Sequence, residues 1–161
     1  MKTITYEQFL KFDPCYSDDP EKKALMDAIA ARRGRWSALD ILALDEIPPA
    51  DRLWAVLREE LIDAPILHEF ACRCAERALS RIENPDPRSL RFIEVKRAWL
   101  RGKATDEELA AAEAAAWAAA RYAAEAAAKD AAFIARYYMC RDHEFERQAE
   151  DLKRMLEATA Q

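Results

Sequence analysis

Glycine is the residue that this sequence lacks most, since its 161 residues include only Gly34 and Gly102. Tight turns between strands usually take a glycine, because it adopts positive φ without steric cost. The shortage therefore argues against a β-sandwich or barrel. Hydrophobic residues make up 52% of the chain and charged residues 34%. That composition is typical of a folded domain rather than a disordered chain.

Long apolar runs are also missing. The first seven residues lack the apolar segment of a signal peptide. The alanine-rich stretch 110–132 carries five charged residues, too many for a bilayer-spanning helix. We therefore expect a cytoplasmic protein that does not enter a membrane, with its four cysteines present as reduced thiols.

Motifs that identify catalysis are absent from the sequence. It contains no GxSxG, HExxH, P-loop or Rossmann glycine pattern. Paired carboxylates such as Glu59–Glu60 and Glu107–Glu108 lie at expected helix ends, where solvation and the helix dipole account for them. The sequence predicts a protein that is not an enzyme and binds no cofactor.

Signals for helix starts and stops are frequent, and they predict an all-α, single-domain bundle of about seven or eight helices over residues 1–161. Short capped helices are expected over 1–103, and a long alanine-rich helix with a C-terminal helical segment over 104–161. Gly34 and Gly102 are each expected just past a helix C-terminus. The expected start signals are Thr5 with Gln8, Asp19–Pro20, Ser37 with Asp40, Pro49, Pro65, Asp86–Pro87 and Thr105 with Glu108.

The alanine-rich segment predicts one very stable helix, since sixteen of residues 109–132 are alanine. The i,i+4 pairs Arg121–Glu125 and Glu125–Lys129 would add support. We expect this helix to be the buried axis of the bundle. No proline or glycine occurs over 106–158, which as one helix would span about 80 Å. A bend is therefore expected, between Cys140 and Glu144.

A zinc site is one alternative interpretation of the histidines and cysteines. His68 with Cys72 (i,i+4) and Cys140 with His143 (i,i+3) would each place two ligands on one helix face, as tetrahedral Zn²⁺ requires. The other interpretation is that helical cysteines serve as small core hydrophobes. We adopt the second, and expect no metal, because the spacing matches no established zinc pattern.

Charge is unevenly distributed, although the net value is only −5. Residues 37–63 and 104–161 each carry −5, and residues 86–103 carry +4. The acidic segments could meet a basic partner or could simply be solvated helix faces. The basic residues of 86–103 surround Phe92 and Trp99, and basic residues combined with aromatic ones can bind nucleic acid. We interpret it instead as the solvent face of a helix, and expect no direct nucleic-acid binding.

Several segments resemble a family of helical proteins regarded as immunity proteins of bacterial toxin systems. The resemblance lies in Ala71–Leu79 (ACRCAERAL), in the turn 84–88 (NPDPR), and in the stretch 114–122 (AAAWAAARY). Segments 36–40 (WSALD) and 53–58 (LWAVLR) are similar to proteins from bacterial and phage genomes that end in alanine repeats. The resemblance implies binding and neutralising a toxin partner, and it implies no catalytic residues.

These observations together predict a non-enzymatic inhibitor that occludes a site on another protein. A toxin is the favoured partner, and a phage-encoded inhibitor of a host defence protein, of the anti-CRISPR type, is the alternative. A structural module that forms homodimers through the alanine-rich helix is a further alternative. The expected contact residues are Asp40, Asp45, Glu46, Asp51, Glu59 and Glu60.

Overall fold

The computed structural model describes residues 1–127 and 131–159, with the side chains in those ranges except at residues 15, 17 and 121–143. The all-α expectation is confirmed. The α-helices are α1 Tyr6–Leu10, α2 Pro20–Ala30, α3 Ala38–Leu42, α4 Pro49–Val56, α5 Ala64–Leu79, α6 Pro87–Leu100, α7 Asp106–Ala127 and α8 Ala131–Thr159. A 3₁₀ turn occupies Cys15–Asp18. Among the described helices, none combines the length and apolar character that crossing a membrane requires.

A short antiparallel sheet, which the sequence did not predict, joins β1 (Thr3–Ile4) to β2 (Trp36–Ser37). Thr3 lies opposite Ser37, and Ile4 lies opposite Trp36. Ile4 and Trp36 are both buried. The pairing therefore holds the N-terminus against the segment that leads into α3.

Helix starts occur where the capping residues predict them. The Thr5 hydroxyl accepts from the Gln8 N–H at 3.3 Å, and the Gln8 side chain accepts from the Thr5 N–H at 2.8 Å. Ser37 and Asp40 form the same reciprocal pair at the start of α3. Reciprocal capping satisfies two backbone donors that the first helical turn would otherwise leave unpaired. The side chains of Asp19, Asp86 and Thr105 each accept a hydrogen bond from a backbone N–H in the first turn of their helix, so these predicted caps are confirmed.

The two glycines have different roles. Gly102 has φ 66°, and it follows α6 in a Schellman motif. Its N–H donates to the Trp99 carbonyl at 2.8 Å, and the Lys103 N–H donates to the Ala98 carbonyl at 2.8 Å. The prediction for Gly34 is wrong, because α2 already ends at Ala30 and Gly34 has no positive φ.

By its internal contacts the chain divides into two compact units. Unit 1 comprises Met1–Ala64 and Phe145–Gln161, and unit 2 comprises Pro65–Glu144. One boundary falls at the start of α5, after Ala64, and the other falls within α8, after Glu144. The single-domain organisation stays a prediction.

The core of unit 1 is built from apolar side chains of many short elements. Each large side chain buried there contributes about 1.5–3 kcal/mol. Its largest fully buried side chains are those of Val56, Leu61, Ile62 and Leu152. Leu61 and Ile62 lie after α4, which ends at Val56, so they enter the core from a turn rather than from a helix.

In unit 2, α6 and α7 pack against each other. The expectation that the alanine-rich helix is a buried axis is wrong for residues 106–120. Of these, only Ala119 is buried, whereas Trp117 is 70% exposed. Alanine provides helix propensity in this stretch more than it provides core volume.

No helix break occurs between Cys140 and Glu144, since both residues lie inside α8. The bend expected there stays a prediction. The structure describes α7 up to Ala127 and α8 from Ala131, and residues 128–130 lie outside the described part of the chain. The predicted ion pairs Arg121–Glu125 and Glu125–Lys129 lie outside the described side chains.

Candidate binding sites in unit 1

Unit 1 contains a half-open cavity of about 420 Å³. Its lining runs from Ile4 to Ala55 and draws on α1, α2, β2, α3, α4 and the 3₁₀ turn. Helical spacing explains the arrangement, because Met26 and Ile29 are i,i+3 on α2, and Asp51 and Trp54 are i,i+3 on α4. The wall is mainly apolar and aromatic, which is typical of ligand pockets. We call it the unit 1 cavity.

Aromatic rings form one side of this cavity. Phe9 and Trp54 meet edge-to-face with ring centroids 6.2 Å apart, and Phe9 contacts Phe12 in the same way. The Arg58 guanidinium lies 4.3 Å from the Trp54 ring centroid and 4.4 Å from that of Phe12. Arg58 Nε is buried and has no hydrogen-bond partner among the described residues. The two ring faces supply the electrostatic stabilisation of this cation.

Two further cavity-lining rings also carry a cation over one face. Lys22 Nζ lies 5.0 Å from the Tyr16 ring centroid, and the Arg33 guanidinium lies 5.0 Å from that of Trp36. Such contacts contribute about 0.5–1 kcal/mol each where solvent reaches them. Three of the aromatic residues in the wall are therefore already engaged with this chain's own cations.

The polar groups of the wall are mostly paired. The Tyr16 hydroxyl donates to Asp51 Oδ2 at 2.6 Å. The Tyr6 hydroxyl donates to Asp27 at 2.6 Å, and burial together with that carboxylate raises the pKa of Tyr6 to about 12. These hydroxyls are satisfied within the chain.

Arg52 is the exception, since it is only 6% exposed and incompletely paired. Its Nη1 donates to the Leu42 carbonyl at 2.8 Å, and its Nη2 donates to Glu146 at 3.1 Å. Its Nε is buried without a partner in the part of the chain that the structure describes. A buried donor left unpaired costs about 1–3 kcal/mol.

Three of the six acidic residues predicted to contact a partner interact within the chain. Burial raises the pKa of Asp40, but hydrogen bonds from Ser37 and the Arg33 charge outweigh it and hold that pKa below its usual value. Glu46 forms an ion pair with Arg32, and Asp51 accepts the Tyr16 hydroxyl.

The other three predicted contact residues are more exposed to solvent. Asp45 is fully exposed and lies 3.9 Å from Arg52. Glu59 and Glu60 are exposed, and within the described residues their carboxylates have no hydrogen bond or ion pair. We call Asp45, Glu59 and Glu60 the open carboxylates. Whether any of the six contacts a partner stays a prediction.

The net charge of the chain is carried entirely by one unit. Unit 1 has 17 acidic and 12 basic residues, a net charge of −5, whereas unit 2 has 13 of each. The open carboxylates belong to the acidic unit. Charge of one sign concentrated on one unit steers association with partners of opposite charge.

The residues of the zinc alternative are only partly described. His68 packs edge-to-face on Trp99 with ring centroids 5.9 Å apart, and Cys72 is buried, which raises the pKa of its thiol. Cys140 and His143 lie outside the described side chains. Among the described residues, no group of three or more His, Cys, Asp or Glu is positioned to hold a metal ion.

Three of the six basic residues in segment 86–103 form ion pairs with acids. Arg88 contacts Asp86 at 2.7 Å, and Arg91 contacts Glu94 at 3.0 Å. Arg97 donates to Glu69 on α5 from Nε at 3.0 Å and from Nη2 at 2.9 Å, and it also pairs with Glu76. Sequence reasoning missed this Arg97 cluster, because its partners are 21 and 28 positions away.

The unit 1 cavity was also missed from the sequence. Its aromatic residues are spread from Tyr6 to Trp54, and no periodic pattern links them. Aromatic residues are about as frequent in this part of the sequence as in the rest, so their density gives no signal either. No protein-family model, curated protein or solved structure matches the chain.

Proposed function

We propose that this protein is a non-enzymatic inhibitor that binds a basic partner protein through the acidic surface of unit 1. The observation that supports this most directly is the set of open carboxylates on the unit that carries all of the net charge. Among the described residues Glu59 and Glu60 form no ion pair, and Asp45 has only Arg52 at 3.9 Å. Like charges that are so weakly compensated cost stability, and a basic partner would offset that cost. The resemblance to immunity proteins agrees with this proposal and favours a toxin as the partner.

Charge reversal provides the test. The double variant Glu59→Lys/Glu60→Lys changes two exposed side chains that the fold does not use. The matched control is Glu83→Lys/Glu113→Lys, which makes the same change in net charge at two exposed positions of unit 2. Each protein is used to capture partners from the source organism, and the captured protein is then assayed for activity with and without inhibitor.

We expect the unit 1 double variant to bind the captured partner at least about tenfold more weakly and to inhibit it correspondingly less, because like charges would now face each other. The control variant should bind as the unaltered protein does. Equal weakening in both variants would mean that net charge alone matters and would contradict a defined acidic contact surface.

The identity of the partner separates the two kinds of inhibitor. A toxin encoded next to this chain's gene would support an immunity protein. A host nuclease or another defence protein captured by a phage-encoded copy would support the anti-defence alternative. In either case the inhibitor occludes a site on its partner and needs no reaction of its own.

A structural module that oligomerises is a second candidate, favoured by Trp117. This side chain is 70% exposed on α7, among alanines that allow close approach of another helix. Light scattering over a wide concentration range would detect a dimer. If a dimer forms through this face, Trp117→Glu should make the protein monomeric, whereas Glu113→Gln, one turn away, should not.

A further inference from the structure

The unit 1 cavity is large enough for a small molecule, and its wall is mainly apolar and aromatic. Its volume of about 420 Å³ falls within the range of roughly 300–1,000 Å³ that is usual for small-molecule sites. Met26, Ile29 and Ile41 contribute aliphatic surface, and Phe9 and Trp54 contribute aromatic surface. An apolar body that fills this space is removed from water, which favours its binding.

Two carboxylates belong to the wall of the cavity, and neither has a cationic partner among the described residues. Asp51 accepts the Tyr16 hydroxyl at 2.6 Å, a contact that leaves its charge uncompensated. Asp13 is exposed, and within the described part of the chain its carboxylate has no hydrogen bond or ion pair. Asp13 therefore provides an unpaired anion beside an otherwise apolar space.

Arg52, in the same wall, provides little positive charge for a ligand. Its guanidinium pairs with Glu146 at 3.1 Å and lies 3.9 Å from Asp45. An anion in the cavity would therefore face Asp13 and Asp51 without gaining a counter-ion of its own. A cation would instead be attracted by those two carboxylates. The charges that line the cavity thus favour a cationic ligand over an anionic one.

Three more cations lie near the wall without lining the cavity. Lys22, Arg33 and Arg58 each lie over one face of an aromatic ring of the wall. Arg33 is in addition paired with Asp40. These cations weaken the attraction of the two wall carboxylates for a cationic ligand. Unit 1 still carries a net charge of −5 when they are counted, so its long-range field attracts cations.

We propose that the unit 1 cavity binds a small organic cation, whose apolar body fills the cavity and whose protonated amine pairs with the Asp13 carboxylate. The ligand class is that of arylalkylamines and other apolar amines. This site is separate from the open carboxylates, and its existence does not depend on the inhibitor function.

Three naphthyl probes of matched size test the ligand class directly. They are 2-naphthylmethylamine, which is cationic at neutral pH, 2-naphthylmethanol, which is neutral, and 2-naphthylacetate, which is anionic. Binding is measured by calorimetry and ligand-observed NMR. We expect the amine to bind at least about threefold more tightly than the alcohol and at least about tenfold more tightly than the carboxylate, because an exposed ion pair contributes modestly and like charges repel. Absence of amine binding, or equal binding of the amine and another probe, would overturn the proposal.

The variant Asp13→Asn tests the role of the carboxylate. Asp13 has φ 54°, a conformation that asparagine also adopts readily, so the substitution removes the charge and keeps the backbone. We expect the affinity for the amine to fall to that for the alcohol, which should not change. Asp18→Asn, exposed on the same unit and outside the lining, is the matched control and should keep the preference for the amine. A preference that survives Asp13→Asn, or is lost equally in both variants, would overturn the proposed contact.

A cavity-filling variant locates the site. Ala50 lines the cavity, so Ala50→Leu should reduce amine binding at least about tenfold by occupying its volume. Ala43 is exposed and outside the lining, so Ala43→Leu serves as the control with the same side chain. Both variants are first checked for a cooperative thermal transition. A second filling variant, Ala30→Leu, replaces Ala50→Leu if the latter does not fold.

The same variants distinguish this site from the proposed inhibitor function. We expect Ala50→Leu to lose the amine and to keep the captured partner protein. Loss of the partner with retention of normal folding would mean that the cavity takes a basic side chain of the partner, and would overturn the small-molecule proposal. Amine binding that survives both filling variants would place the probe elsewhere and overturn it as well.

Discussion

Arg52 on α4 donates a hydrogen bond to Glu146 on α8 at 3.1 Å, across 94 positions of sequence. The arginine side chain is 8% exposed, whereas the glutamate side chain is 50% exposed. The contact therefore joins a buried cation to a carboxylate that water still reaches. It ties the C-terminal segment of unit 1 to the wall of the unit 1 cavity.

Removing the carboxylate should destabilise the protein. We expect Glu146→Ala to lower the free energy of unfolding by about 2 kcal/mol, because a buried guanidinium loses its closest counter-ion. Glu150→Ala, at an exposed position on the same helix, should change it by less than about 0.5 kcal/mol. Urea denaturation measures both values. Equal effects would show that Glu146 contributes only as a helical residue.

The two glycines should respond oppositely to alanine. Gly102 has φ 66°, so Gly102→Ala should destabilise the protein by about 1 kcal/mol through backbone strain at the end of α6. Gly34 lacks a positive φ, and a Cβ there would meet nothing within 4 Å. Gly34→Ala should therefore stabilise by about 0.4–1 kcal/mol by restricting the unfolded chain. Thermal denaturation of the two single variants shows whether each substitution raises or lowers the stability of the protein.

The Tyr6 hydroxyl should lose its proton at an unusually high pH. Burial, the hydrogen bond to Asp27 and the negative charge of Asp27 raise its pKa from 10.0 to about 12. The folded pKa lies above the unfolded one, so the contribution of Tyr6 to stability is complete below about pH 10 and is lost as the pH rises towards 12. The ultraviolet signal of tyrosinate should include a step near pH 12 that Tyr6→Phe removes. A step that persists in this variant would belong to another tyrosine.

The Arg97 cluster should make unit 2 sensitive to acid. Hydrogen bonds from Arg97 hold the pKa of Glu69 below its usual 4.5 in spite of partial burial. Since the folded pKa is lowered, the contribution of Glu69 is present above about pH 4.5 and is lost as the pH falls through the lower folded value.

Substitution of Glu69 tests this contribution. At neutral pH, Glu69→Gln should reduce the free energy of unfolding by about 1 kcal/mol, a modest value because solvent partly screens the pair. The difference between the variant and the unaltered protein should shrink on acidification. Glu83→Gln, exposed on the same unit, is the matched control and should show no such convergence. A difference that is constant with pH would contradict the role assigned to the charge of Glu69.

The two glycines and the alanine-rich helix differ in how well local sequence signals predict them. Gly102 was placed correctly, because the basic residues and the end of the apolar pattern before it are local signals. Gly34 was misplaced, because α2 ends earlier than its apolar pattern suggests. The exposure of Trp117 could not be predicted, since an alanine-rich helix has nearly the same pattern on every face.

Local sequence signals are enough to predict the helical class and the helix starts, as at Thr5, Ser37 and Thr105. Caps form between residues two or three positions apart, so the signal for a helix start is local and does not depend on the tertiary structure. Which distant residues meet depends on tertiary packing. Examples are Arg52 with Glu146, Arg97 with Glu69, and the aromatic residues around the unit 1 cavity. Those contacts depend on how short helices pack against one another, and no spacing along the chain encodes that packing.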